Sequence, residues 1–79
     1  MRIVRLRKEK YMENKFKDTL KELRTEKGIG QVKLAQELGV SKGVISLWEN
    51  GLREPTMTSL ILIADYFGVT IDFLVGREN

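Results

Sequence analysis

"QVKLAQELGVSKGVISLWENG", residues 31–51, holds two short helical patterns with very little chain between them. In the first, Leu34, Ala35 and Leu38 fall on one face, and Gly39 stops the run. Gly30 stands before it as a cap without a side chain, only slightly worse there than Ser. In the second, Ser41 is placed to cap the first turn and Gly51 to end the last. Only Gly39, Val40 and the capping Ser41 separate the two patterns. That spacing suits two helices meeting at a steep angle, the helix-turn-helix arrangement.

The second of these helices has two unlike faces. With an advance of ~100° per residue, Lys42, Gly43, Ser46, Leu47 and Asn50 share one broad arc. Val44, Ile45 and Trp48 share the opposite arc, and Glu49 sits on the border. Trp48 therefore reads as a core wedge rather than a stacking platform. In a helix-turn-helix the second helix enters the DNA major groove with its N-terminal residues toward base edges. The groove is ~12 Å wide and takes a helix only with a slim outer face. This accounts for Gly43, which weakens a helix by up to ~1 kcal/mol relative to Ala but lets backbone approach DNA. It accounts for Leu47 too, as an apolar contact for a thymine methyl.

Outward from this pair, the rest of the chain also reads as helix. Phe16, Leu20 and Leu23 form an i, i+4, i+7 stripe, with Asn14 as a cap and Gly28 as a stop. After the loop "GLREP", Thr56 caps a fourth helix running to about Phe67, with Leu60, Ile63, Ala64 and Phe67 inward and Gly68 at its end. Thr70 caps a last short helix, "IDFLV", before Gly76. Val40 and Val69 follow helix-ending glycines and are expected to turn back into the core. The fold class is all-α, a compact bundle of five short helices.

Seventy-nine residues make one domain with a modest core. There is no Cys and no His, which removes disulfides, zinc sites built on those residues and the commonest general base. No apolar run approaches the ~18 residues of a membrane span. Asp18, Glu22, Glu26 and Glu37 read as solvated helix faces. The expectation is a cytoplasmic protein, not an enzyme, with no metal and no cofactor. The net charge of +3 is unevenly spread. Residues 1–11 carry five basic residues and one acidic, while residues 12–79 carry nine and ten. The division expected is a basic N-terminal arm, 1–11, before a domain over 12–79. The arm reads equally as a phosphate-touching segment and as a solvated extension, since Met12 could itself serve as a start.

Residues 31–51, the ending "WENG" and the later "REPT…L..IADYFGV..D.L.G" together resemble the phage repressor and Cro family of helix-turn-helix proteins, the XRE family. Ala35 matches its small residue, Gly39 its turn glycine and Ile45 its core aliphatic, and the resemblance runs over about residues 15–76. It implies a lambda-repressor-like DNA-binding domain. It implies base-facing roles for Lys42, Gly43, Ser46 and Leu47. It implies phosphate contacts for Gln31, which also braces the second helix, and for Asn50 and Arg53. Lys33, by its charge in the same region, is a further expected phosphate contact. Arg24 and Glu49 resemble a structural pair tying the first helix to the third. Many relatives carry Gln, Arg, Ser or Thr where this chain has Gly43 and Leu47. That leaves Lys42 as the main hydrogen-bonding reader and shifts weight toward DNA shape.

The function expected is a sequence-specific regulator of transcription, a repressor bound to a palindromic operator on double-stranded DNA. It would act as a homodimer through the C-terminal half, around Leu62, Tyr66 and Phe73. The alternative is an antitoxin or other partner-controlled module, motivated by Ile61 and Leu62, which make the fourth helix apolar almost all round.

Overall fold

The computed structural model describes residues 14–77. Among them are five α-helices and no strand: α1 Phe16–Glu26, α2 Gln31–Leu38, α3 Lys42–Glu49, α4 Met57–Phe67 and α5 Ile71–Val75. The arm expected over residues 1–11 lies outside the described residues.

The helix starts follow the expected chemistry. Ser41, Thr56 and Thr70 hold extended backbone, and each side-chain oxygen accepts from the N–H three residues on. Gly30 starts α2 without a side-chain bond. At α1 the cap is shared: Lys15 holds the capping position, while Asn14 Oδ1 accepts from the Phe16 N–H at 2.9 Å. The Asn14 bond lies one residue further out than a simple cap, the geometry of an Asx turn.

The turn between α2 and α3 depends on Gly39. Its φ of +74° is a left-handed conformation that glycine adopts without steric cost. Its N–H bonds to Gln36 O, and the Val40 N–H reaches back to Ala35 O at 3.0 Å. This paired closure redirects the chain within two residues and turns Val40 onto the core. Val69 does the same after Gly68.

Every helix contributes to one core. Phe16 and Leu20 of α1 meet Leu34 and Ala35 of α2, Ile45 and Trp48 of α3, Ile63 and Ala64 of α4, and Leu74 of α5. Leu20, Leu34, Ile45, Ile63 and Leu74 are wholly enclosed. Burying each such side chain contributes roughly 1.5–3 kcal/mol. Trp48 packs edge-on to Phe16, centroids 6.2 Å apart, and its buried indole N–H has no partner among the described residues. The main-chain bond Lys15 N–H to Val75 O, 3.2 Å, ties the first helix's start to the last helix's end. α3 packs on both α1 and α2, so its remaining face looks outward.

Candidate nucleic-acid interface

The outward face of α3 carries the residues expected there. Lys42, Gly43 and Asn50 are exposed; Ser46 and Leu47 are half-buried. A Cβ built at Gly43 would meet only Ser41 Oγ, at 3.7 Å, an ordinary contact. The glycine is therefore not demanded by this protein's own packing. Lys42 stands exposed at the N-terminal end of the helix.

Behind that face, α3 is fixed by a nearly dry carboxylate. Arg24 donates to Glu49 through Nε, 2.7 Å, and Nη2, 3.0 Å, a two-pronged pair. The Glu49 side chain is 3% exposed and that of Arg24 15%. Gln31 Nε2 adds a third bond to Glu49 Oε1, 3.0 Å, and Arg24 Nη1 donates to Ile29 O, 3.0 Å. Burial pushes the Glu49 carboxyl up. The bonds from Arg24 and Gln31, with the nearby charges of Arg24 and Lys21, outweigh it and hold Glu49 below the usual carboxylate range. The same pair raises Arg24. One carboxylate thus links α1, the head of α2 and the tail of α3. The head of α2 has free N–H groups, an arrangement that suits an anion, and Gln31 stands there with one amide hydrogen committed to Glu49.

Two exposed cations, Lys33 and Arg53, flank this site. Lys33 is exposed and meets Glu37 one turn on at 3.3 Å, a surface pair worth little. Arg53 is exposed in the loop after α3 and lines a cleft of about 440 Å³ with Asn14, Phe16, Trp48, Gly51 and Glu54. Asn50 donates through Nδ2 to Ser46 O at 2.9 Å and to Ser46 Oγ at 3.3 Å. The Asn50 amide nitrogen faces Ser46, so a phosphate contact by Asn50 competes with these bonds.

Two features are not anticipated by the sequence reading. One is the Ser46–Asn50 link, for which the only signal is the i, i+4 spacing of two small polar residues. The other is Lys17, whose stem lies over Gly51; a Cβ there would come within 2.8 Å of Lys17 Cδ. This brings a further cation to the exit of α3, beside Arg53. No periodicity could have placed it there.

The three residues expected at a subunit contact do not share one depression. Leu62, 48% exposed, borders Leu38, Val40 and Ser59. Phe73, 42% exposed, lines a groove along α1 with Glu22, Thr25 and Glu26. Tyr66 is half-buried, with Lys27 Nζ 5.2 Å from its ring centre. Among the described residues no three acidic side chains are grouped so as to hold a metal, and no helix is long and apolar enough to cross a membrane.

Residues 20–74 match the helix-turn-helix family profile. The chain is 45% identical over 64 residues to the HTH-type transcriptional activator BcrR of Enterococcus faecalis, covering 81% of this chain and 31% of that one. It is 39% identical over 62 residues to the HTH-type transcriptional regulator AnsR of Bacillus subtilis, covering 78% and 53%. Against the cryptic phage CTXphi transcriptional repressor RstR of Vibrio cholerae it is 30% identical over 64 residues, covering 81% and 58%. The chain thus spans about a third to just over half the length of these relatives. Among solved structures, a transcriptional regulator from Listeria innocua superposes with a TM-score of 0.78 at 30% identity, covering 85% of this chain and 63% of that one. The DNA-binding domain of the P22 C2 repressor superposes at 0.70 and 25% identity, covering 81% and 90%. Five helices in this order, a glycine-turned α2–α3 pair and a profile match over most of the chain place it together: the chain belongs to the phage repressor and Cro-like, or XRE, family of helix-turn-helix proteins.

Proposed function

We propose that this chain is a sequence-specific DNA-binding regulator of transcription, a repressor that holds α3 in the major groove of a palindromic operator as a homodimer. The observation that carries the reading is the outer face of α3. It is slim at Gly43 with no packing reason to be so, cationic at Lys42, and held in place from behind by Glu49. Lys42 reads an acceptor pair on guanine, Leu47 meets a thymine methyl, and Gly43 admits the backbone. Gln31, Lys33 and Arg53 hold phosphates on either side, with Lys17 as a further cation at the exit of α3. Leu62, Tyr66 and Phe73 supply the surface for a second subunit. The chain acts in the cytoplasm and needs no cofactor. Relatives named as repressors support this sense of regulation, while the 45%-identical relative is named an activator.

Selection of bound sequences from random duplex DNA, at stated salt, tests this. The expected product is a two-fold symmetric motif with half-sites about one helical turn, ~34 Å, apart. An unenriched pool defeats the reading. A second reading, an antitoxin or other partner-controlled module, draws on the exposed Ile61, Leu62 and Met57 of α4. A stable complex with a toxin encoded by a neighbouring gene favours it.

A further inference from the structure

Asn50 is the chain's one asparagine followed by glycine, and Gly51 has no side chain to shield its main-chain nitrogen. In such a pair that nitrogen can attack the asparagine side-chain carbon, Cγ. Glycine is required at 51: its φ of +73° is left-handed, and a Cβ there would come within 2.8 Å of Lys17 Cδ. Both residues are exposed at the exit of α3. The last turn of the helix opposes the reaction. Asn50 Nδ2 donates to Ser46 O at 2.9 Å and to Ser46 Oγ at 3.3 Å, which turns the amide back along the helix. The Gly51 N–H, which must lose its proton to attack, donates to Trp48 O at 3.2 Å. Ring closure needs Asn50 Cβ and the Gly51 nitrogen nearly eclipsed about the Cα–C bond, and a ψ of 2° at Asn50 holds them well apart. All of these restraints lie in one terminal turn, and helix ends open locally at far less cost than the core.

We propose that Asn50 is a site of spontaneous deamidation, held in check by the last turn of α3, and that its conversion to a carboxylate releases the chain from DNA. The second half rests on the DNA reading above. When the turn opens, the Gly51 nitrogen gives up its proton and bonds to Asn50 Cγ. The Cγ–Nδ2 bond breaks, and Nδ2 leaves as ammonia with that proton. Water then opens the cyclic imide at either carbonyl, leaving aspartate or, with the main chain rerouted through the side chain, isoaspartate. The net change is an amide and a water to a carboxylic acid and ammonia. The new carboxylate is ionised at neutral pH. It stands at the negative end of the α3 dipole, next to Gly51, which shares a cleft with Lys17 and Arg53. There it repels phosphate and competes with it for those two cations. The isoaspartate form also lengthens the main chain beside the bonds from Gly51 N–H to Trp48 O and from Leu52 N–H to Leu47 O, and so loosens the exit of α3.

The test is ageing of the full chain at neutral pH, natively and in urea, with peptide mapping of Asn50 by mass and Asn50→Gln as the blank. Conversion at Asn50 is expected in both, slower in the native chain, with Asn14 left as the amide. Ser46→Ala, which removes one bond on the amide, should speed the native reaction by up to about tenfold and leave the rate in urea unchanged. No conversion in the native chain while the unfolded chain converts, or equal rates in the two, overturns the first half of the proposal. The deamidated chain, separated by ion exchange and checked for helicity, should bind matched and mismatched duplexes alike about tenfold more weakly, the worth of one charged contact, with a shallower salt dependence. Asn50→Asp should show the same loss. A deamidated chain that binds as tightly as the fresh one overturns the second half. A fresh chain that binds no duplex overturns the DNA reading and the second half with it, while the mass readout still decides the first.

Discussion

Glu49 is almost sealed from water and accepts from two side chains. Removing one partner of a buried pair leaves the other charge uncompensated. Arg24→Met should therefore lose about 3–5 kcal/mol of stability in urea unfolding. The pH dependence has a definite sign. Glu49's folded pKa is depressed, so its contribution is fully present above the ordinary carboxylate pKa and is lost as pH falls through the depressed value. Glu49→Gln should be less stable than wild type at neutral pH, and the two melting curves should converge in acid. A constant gap across that range would show that the pair is not the source. Among the described residues Lys42 makes no such internal contact. Lys42→Ala should leave stability within ~0.5 kcal/mol. It should weaken binding by ~1–3 kcal/mol and relax one base pair per half-site, measured by titrating matched and mismatched duplexes. An equal loss on every duplex would assign Lys42 to phosphate alone.

At the scale of the helix, α3 separates what holds it from what it presents. Ile45, Trp48 and Glu49 are buried and hold it; Lys42 and Gly43 are exposed and are presented. Gly43 tests this separation. The space around its Cβ is open, and glycine is the poorer helix former by up to ~1 kcal/mol. Gly43→Gln should thus melt no lower than wild type, and slightly higher if helix propensity dominates. DNA affinity should fall, or selection should return a new motif. Unchanged affinity with an unchanged motif would mean that this face stays clear of the groove. The helices themselves were readable because each carries local marks. Ser41, Thr56 and Thr70 cap within three residues, and glycines at φ above +60° close the ends. Such signals act within one turn and need no tertiary partner.

For the whole molecule, charge and apolar exposure frame the remaining predictions. Met57, Ile61 and Leu62 are exposed on α4 and Phe73 on α5, in a chain too small to enclose every apolar side chain. Leu62→Glu should sediment as a monomer with helicity retained. Phe73→Glu is the companion, because Phe73 lines a different depression, along α1. Wild-type dimerisation in both variants would move the interface elsewhere. The net positive charge lies in residues 1–11, and the rest of the chain is slightly acidic. If that segment meets phosphate, a chain starting at Met12 should bind every sequence more weakly. Its salt dependence should flatten by about 0.9 log-units for each phosphate that the segment neutralises. An unaltered slope with altered sedimentation would assign the segment to subunit association instead.

Periodicity and caps are properties of neighbours along the chain, and they determined the five helices, the inward stripes of Phe16–Leu20 and Ile63–Ala64, and the outward arc of α3. The α2–α3 turn was equally legible, because one glycine and one serine cap decide it locally. Resemblance in the sequence also named Arg24 and Glu49 as a pair and Gln31 as a brace. Only the tertiary structure decided that Gln31 braces α3 through Glu49, eighteen residues away, that Lys17 lies over Gly51, and that Leu62 and Phe73 open onto separate depressions. These juxtapositions arise when helices distant in sequence pack around Leu20, Leu34, Ile45, Ile63 and Leu74. A hydrophobic stripe says which face turns inward. It does not say which polar groups, carried along on the edges of those faces, come within hydrogen-bonding distance once the core closes.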